Sequence, residues 1–254
     1  MKSLNIAIVG AGVWGETHAA IFREHPYANP VAICDLNVER AAALADKYAL
    51  PAVYGSVKDM LRAGGFDAVS IVTPDHLHAD IAVACATAGK HLLIEKPLAT
   101  TSADVFRIVE AVRRHNVRAM VDLHNRWSPP FAQAKLELDA GTLGTLRNAY
   151  FRLNDTKWVA TDMLPWAAKS SILWFLGSHS LDTLQWLFDD QSRACTAWQA
   201  GACWTRWTST RRMSTLPPWS SAAAASRRWK TAGSPRTPTP ASTTSSVPCA
   251  VTRA

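Results

Sequence analysis

Short apolar runs alternate with amphipathic stretches over the first half of the chain, and this alternation predicts strands that alternate with helices. The predicted strands are 5–9, 31–34, 68–72, 91–94 and 117–123. The helices between them are predicted at 14–25, 38–48, 56–62, 76–88 and 102–115, with Asn37, Ser56 and Ser102 as N-caps. Strands and helices in this order favour right-handed crossovers and a mostly parallel sheet, so residues 1–123 are predicted to form an α/β domain.

The hydrophobic pattern changes after residue 123. A helix is predicted from Pro129 and Pro130 to Gly141, a strand over 145–153 and an apolar helix over 171–188. This pattern indicates that residues 124–190 begin a second, α+β domain, which is truncated at Asp190. After that residue neither a helical nor a strand period survives.

The composition of residues 191–254 differs from that of a packed domain. The segment has no Asp, Glu, Ile, Phe or Tyr and one Leu, but it has five Trp, eleven Thr and ten Ser. We expect a disordered tail translated out of frame. In the shifted frame the codons for Trp229 and Lys230 give a glutamate, and the codons for Trp204 and Thr205 give an aspartate. A genuine disordered basic tail is the alternative.

The net charge is informative only when it is counted separately for the first 190 residues and for the tail. The net charge is +7, but residues 191–254 carry +9, so the first 190 residues carry −2. This balance disfavours a nucleic-acid binder, and binding through the basic, Trp-rich tail is kept only as an alternative. The sequence has no apolar run of bilayer length, no signal peptide and no cysteine pair with metal-ligand spacing, so we expect a cytoplasmic protein with no membrane partner and no metal site.

A glycine-rich turn follows the first predicted strand and opens the first helix. Residues 10–15 read Gly-Ala-Gly-Val-Trp-Gly, the G-x-G-x-x-G pattern, and Asp35 ends the next strand 20 residues after Gly15. Gly10 permits the tight turn, Gly12 lets the backbone approach a pyrophosphate, and Gly15 allows close packing of helix on strand. A carboxylate at Asp35 suits the adenosine ribose hydroxyls and repels a 2′-phosphate, so the sequence predicts a dinucleotide site that prefers NAD to NADP.

Four segments in order resemble one known family. They are the glycine turn, Thr73-Pro74-Asp75-His76-Leu77-His78, Glu95-Lys96-Pro97 and Gly177-Ser178-His179-Ser180-Leu181-Asp182. Together they resemble the motifs of the Gfo/Idh/MocA oxidoreductases, a group that includes glucose–fructose oxidoreductase and inositol dehydrogenases, and the resemblance covers residues 1–190.

The resemblance implies that residues 1–123 form an NAD-binding Rossmann fold and that residues 124–190 begin a domain for substrate and oligomerisation. It also implies a role for each motif in binding or catalysis. The implied cofactor contacts are Gly10, Gly12, Val13, Trp14, Gly15, Asp35, Thr73, Pro74, His78, Glu95 and Lys96. Lys96 would orient the nicotinamide ribose and polarise the substrate oxygen, and His179 would act as general acid and base on the substrate hydroxyl. Arg126, Trp127 and Asp182 are expected near the substrate, and Pro97 is expected to follow a cis peptide.

The implied function is hydride transfer between nicotinamide and a hydroxyl-bearing carbon of a sugar, inositol or related polyol. Many family members carry an aspartate four residues before the histidine, and this chain has Phe175 there. Asp182, three residues after His179 on a neighbouring face of the helix, is expected to help orient the His179 ring. Phe175 and the truncated second domain leave a second hypothesis open, a non-catalytic NAD-binding fragment or sensor. They also make dehydrogenase activity and the homo-oligomer of the family doubtful for this chain.

Overall fold

The computed structural model describes residues 3–189, 250 and 251, and the chain divides into two compact units, Met1–Leu123 and His124–Ala254. The predicted out-of-frame tail therefore lies outside the described residues except for Ala250 and Val251. Among the helices of the described part, none has the length and the apolar character needed to cross a bilayer.

The first unit is built on a six-stranded parallel sheet. Its strands are β1 (Leu4–Val9), β2 (Ala28–Cys34), β3 (Ala52–Tyr54), β4 (Ala68–Ile71), β5 (His91–Glu95) and β6 (Ala119–Asp122). Their order across the sheet is β3-β2-β1-β4-β5-β6, which is the doubly wound order of a Rossmann fold. The predicted α/β fold is thus confirmed. The sequence did not predict β3, because three residues are too few to show an alternating pattern.

Five helices connect these strands. They are α1 (Val13–Glu24), α2 (Val38–Tyr48), α3 (Val57–Ala63), α4 (His78–Thr87) and α5 (Ser102–Arg114). The Asn37 and Ser56 side chains accept the backbone N–H groups of Arg40 and Asp59, so both predicted N-caps are confirmed.

The predicted start of two helices was wrong. The N-cap of α5 is Thr101 and not Ser102, because the Thr101 hydroxyl accepts the N–H of Asp104 and donates to its carboxylate. A 3-10 turn over Asp75–Leu77 precedes α4, which begins two residues later than predicted.

Neighbouring residues of β1 point to opposite faces of the sheet. Ala7 and Val9 pack with Val69, Ile71 and Ile94 on one face. Ile8 packs with Ile33 and Leu44 on the other. The helices therefore cover both faces, as predicted, and the free thiols of Cys34 and Cys85 are buried in the first of these clusters.

The second unit has fewer regular elements within the described residues. They are α6 (Pro129–Asp139), α7 (Ser178–Phe188) and two strands, β7 (Ala149–Tyr150) and β8 (Ala250–Val251), which pair antiparallel. Its described core consists of Phe131, Phe151 and Leu184 with partly buried neighbours.

Two element predictions in the second unit were wrong in extent. The strand predicted over 145–153 is regular only at Ala149–Tyr150. The helix predicted over 171–188 is divided into a π-helical turn, Leu173–Gly177, followed by α7. The Leu173 side chain lies over Gly177, and a Cβ at Gly177 would be only 2.7 Å from it.

Candidate cofactor and active site

The predicted cofactor residues lie at one edge of the Rossmann sheet. Gly10 follows β1, Asp35 follows β2, Thr73 and Pro74 follow β4, and Glu95 ends β5. Because these strands are parallel, their carboxyl ends share this edge, where ligands bind in doubly wound sheets. The order of the strands reverses between β1 and β4, which is the switch point where a dinucleotide crevice is expected.

The glycine turn has the geometry of a phosphate-binding loop. A Cβ at Gly15 would lie 1.9 Å from the Gly10 carbonyl oxygen, and one at Gly10, where φ is +111°, would lie 2.7 Å from the Val72 carbonyl oxygen. A Cβ at Gly12, by contrast, would have no atom of the described residues within 4 Å of it, other than those of its chain neighbours. Val13 and Trp14 then begin α1, so free backbone N–H groups and the positive end of the helix dipole meet this open space. The loop therefore fits a pyrophosphate.

Asp35 is tied to the glycine turn by its side chain. Its Oδ2 accepts the N–H of Ala11 at 2.7 Å, and its Oδ1 accepts the N–H of Asn37 at 2.8 Å. Arg40 also pairs with both carboxylate oxygens, at 2.9 and 3.0 Å. Burial opposes ionisation, but the two N–H groups and the guanidinium outweigh it and lower the pKa of Asp35. The charged carboxylate fits the ribose hydroxyls, and Arg40 is a neighbour that the sequence did not predict.

His78 joins the second and third motifs. Its ring nitrogens lie 2.8 Å from the Pro97 carbonyl oxygen and 2.9 Å from the Thr73 carbonyl oxygen. Burial lowers the pKa of His78, against the effect of these two hydrogen bonds. Its polar atoms thus contact protein carbonyls, and the expected contact with cofactor stays a prediction. The Thr73 hydroxyl is buried and has no hydrogen bond within the described residues, so it remains available to a ligand.

Glu95 is the last residue of β5, Lys96 follows it, and both residues are buried. The Lys96 backbone N–H donates to Glu95 Oε2 at 3.0 Å, and the following Lys96–Pro97 peptide bond is cis, as expected. Glu95 Oε1 has no hydrogen bond within the described residues. The edge of the sheet therefore carries an ammonium and a carboxylate close to the loop that fits the pyrophosphate.

In the second unit, the structure groups His179 with a histidine that the sequence did not single out. The His179 side chain is buried in the first turn of α7, and its ring contacts that of His124 edge to face, with centroids 4.6 Å apart. Both carboxylate oxygens of Asp182 bind the Arg126 guanidinium, and the orienting role expected for Asp182 at His179 stays a prediction. The structure thus pairs two of the three expected substrate residues with each other, and Trp127 is exposed.

Two further residues of the first unit were missed by sequence reasoning. His18, on α1, and Asp122, at the end of β6, lie against Glu95. The only sequence signal for His18 is its place one helical turn after Gly15, because α1 returns that position to the carboxyl edge of the sheet.

Comparison with known proteins gives a family for the first unit. A model described as "Oxidoreductase family, NAD-binding Rossmann fold" (GFO_IDH_MocA) matches residues 4–123. Levoglucosan dehydrogenase of Pseudarthrobacter phenanthrenivorans is 31% identical over 208 residues, which are 76% of this chain and 53% of that protein. Inositol 2-dehydrogenase of Salmonella typhimurium is 30% identical over 191 residues, 74% of this chain and 55% of that protein. The chain spans about half the length of the curated relatives it matches.

Solved structures agree with this family. An oxidoreductase domain protein from Kribbella flavida is 28% identical with a TM-score of 0.69, over 75% of this chain and 55% of that one. Myo-inositol 2-dehydrogenase from Lactobacillus plantarum, at 23% identity and a TM-score of 0.70 over 74% of this chain and 57% of that one, shares the fold. With the first three motifs at the carboxyl edge of the predicted sheet, these matches show that residues 4–123 are an NAD-binding Rossmann domain of the Gfo/Idh/MocA family of oxidoreductases.

Proposed function

We propose that this chain belongs to an NAD-dependent oxidoreductase that transfers a hydride between nicotinamide and a hydroxyl-bearing carbon of a sugar, inositol or related polyol. The observation that supports it most is the common edge at which the glycine turn, Asp35 and Lys96 lie. The relatives named for levoglucosan, inositol and D-apiose support the substrate class. The partner we propose is therefore a small molecule and not a nucleic acid.

Each residue has a distinct task in this proposal. The N–H groups at the start of α1 bind the pyrophosphate, and Asp35 accepts hydrogen bonds from the adenosine ribose. NAD, when bound, supplies the hydride-accepting carbon. The ammonium of Lys96 polarises the substrate oxygen, and the imidazole of His179 takes the hydroxyl proton and returns it in the reverse direction.

A second candidate function is NAD binding without turnover. It is favoured by Phe175, which occupies the place of the usual aspartate one turn before His179, and by Asp182, whose oxygens bind Arg126. The position of the usual aspartate thus carries no carboxylate, and Asp182 is already paired with Arg126.

Turnover of a polyol panel by the full chain separates the two functions. NADH formation is followed with levoglucosan, inositols and apiose as probes. We expect Lys96→Ala to reduce kcat by about a hundredfold or more, while the dissociation constant for NAD changes by less than about threefold. Lys58→Ala, at an exposed position of α3, is the control and keeps the wild-type rate. Tight NAD binding with no turnover on any probe would favour the second candidate, and an unchanged rate in Lys96→Ala would remove Lys96 from the mechanism.

The cofactor preference is tested by calorimetric titration of the full chain with NAD and NADP. We expect NAD to bind more tightly, since the Asp35 carboxylate repels a 2′-phosphate. Arg40 adds a second substitution to the test, because its guanidinium can pair either with the Asp35 carboxylate or with the 2′-phosphate of NADP. Asp35→Asn should narrow the preference, and Arg40→Ala should widen it. Equal or tighter binding of NADP by the wild-type chain would contradict the preference.

A further inference from the structure

Three ionisable side chains meet inside the first unit, beside the proposed catalytic lysine. His18 on α1 lies with its Nε2 3.7 Å from Glu95 Oε1 and 3.5 Å from Asp122 Oδ2. His18 and Glu95 are each at most 5% exposed. A positive partner for the buried Glu95 carboxylate lowers the cost of its burial, since buried charges are costly when unpaired.

The His18 ring is fixed from its other side. Nδ1 lies 2.8 Å from the Ser70 hydroxyl of β4, and the ring packs edge to face on Phe22 with centroids 5.6 Å apart. With Nδ1 directed at Ser70, Nε2 can only face the two carboxylates. Burial opposes the charged form, but the neighbouring carboxylates of Asp122 and Glu95 outweigh it and raise the pKa of His18 to about 9.

The Glu95 carboxylate connects the His18 ring to the backbone of Lys96. One of its oxygens faces His18, and the other accepts the Lys96 backbone N–H at 3.0 Å. A continuous series of contacts therefore runs from Ser70 through His18 and Glu95 to the backbone of Lys96. Because α1 begins at the glycine turn, the same series connects the helix of the proposed pyrophosphate site to Lys96.

We propose that His18 is a positioning residue for Lys96: it orients the Glu95 carboxylate, which in turn holds the Lys96 backbone at the carboxyl edge of the sheet. This positioning role rests on the proposed function of Lys96 at the nicotinamide. An apolar side chain of similar size would fill the same volume, but it would remove the imidazole that faces the buried Glu95 Oε1 and would leave the Glu95 carboxylate freer to change rotamer.

Two polar substitutions of His18 test this in the full chain. In His18→Gln the side-chain amide N–H replaces Nε2–H and still reaches Glu95. In His18→Asn the amide replaces Nδ1–H, reaches Ser70 only and no longer reaches Glu95. His25→Gln, at the exposed end of α1, is the matched control.

Amide hydrogen exchange of Lys96, measured by NMR and compared with Leu92 in the same strand, is the readout. We expect Lys96 in His18→Asn to exchange about tenfold faster or more relative to Leu92, since its charge-assisted hydrogen bond is weakened. In His18→Gln and in the His25→Gln control, the ratio of the Lys96 exchange rate to the Leu92 exchange rate should stay within about twofold of the wild-type value. This ratio does not depend on turnover, so it separates failure of the inference from failure of the Lys96→Ala kinetics.

Three outcomes would overturn the proposal. Lys96 and Leu92 accelerating together in His18→Asn would mean that His18 only stabilises the fold. An unchanged ratio in both variants would mean that Glu95 keeps its place unaided. The three side chains also offer atoms within 4.8 Å of one another. A Lys96 exchange rate in the wild-type chain that responds to EDTA and is restored by Zn²⁺ would therefore mean that a metal ion, and not His18 itself, orders Glu95.

Discussion

The two units of the chain derive their order from different sources. In residues 3–123 four of the six strands have a neighbour on both sides, and apolar clusters lie on both faces of the sheet. In the described part of the second unit, one small cluster of Phe131, Phe151 and Leu184 with partly buried neighbours packs α6 and α7 against the chain around β7. The first unit thus constrains its backbone through many independent contacts, whereas the described part of the second depends on fewer.

The largest effect is expected from a substitution in the glycine turn of the first unit. In Gly15→Ala the new Cβ would lie 1.9 Å from the Gly10 carbonyl oxygen, so the backbone of the loop must move. We expect a loss of at least about 4 kcal/mol in the free energy of unfolding of the first unit, together with loss of NAD binding. Urea unfolding followed by amide exchange in β1 measures the first quantity, and calorimetry measures the second.

Gly12→Ala is the matched control for that substitution. Nothing lies within 4 Å of its Cβ position, and its φ of −80° is accessible to alanine. Stability should therefore change by less than about 0.5 kcal/mol, while NAD binds more weakly because a methyl group enters the space proposed for the pyrophosphate. If both variants unfold alike, the loop does not separate packing from binding.

Truncation of one core residue in each unit sharpens the comparison. Ile8 is fully buried in the sheet, and Ile8→Ala should cost about 3–4 kcal/mol because its neighbours cannot collapse into the cavity. Leu184 packs with only two other buried residues, and Leu184→Ala should cost about 2 kcal/mol, since a small cluster can relax. The measurement is amide exchange in β1 and in α7, respectively. Equal costs would indicate that the second unit is as tightly packed as the first.

The same difference between the two units explains how much of the fold could be predicted from the sequence. Residues 6–9, 31–34 and 91–94 show apolar runs, and capping side chains such as Asn37 mark the helix starts, so local signals agree with the final sheet. In the second unit, the π-helical turns at Val159–Met163 and Leu173–Gly177 have no such local signal. Tertiary contacts decide those turns, and a 3.6-residue period cannot report them.

The candidate site was readable where chemistry and backbone geometry coincide. The glycines and Asp35 follow from what a dinucleotide requires at a strand–helix turn. His18, Arg40 and His124 did not follow, because each gains its meaning from a partner distant in the sequence or from the way a helix is oriented. Asp182 was assigned to the His179 ring from helical spacing alone, and that spacing could not show the competing Arg126.

The last expected effect, which needs no substitution, is a pH dependence that arises in the first unit alone. The pKa of His18 is raised to about 9 in the folded chain by Asp122 and Glu95 against the cost of burial, whereas an unfolded histidine titrates near 6.5. The folded state therefore binds the proton more tightly. The resulting stability is fully present below about pH 6.5, decreases above it and is lost as the pH rises through about 9. Between pH 7 and pH 9.5 the free energy of unfolding should fall by about 2 kcal/mol, most clearly in the exchange of β5 amides. His18→Gln carries no titrating group at this position, so its stability should be nearly flat over the same range. The α7 amides of the second unit should show no matching decrease, and a parallel loss of protection in α7 would assign the pH dependence to the chain as a whole.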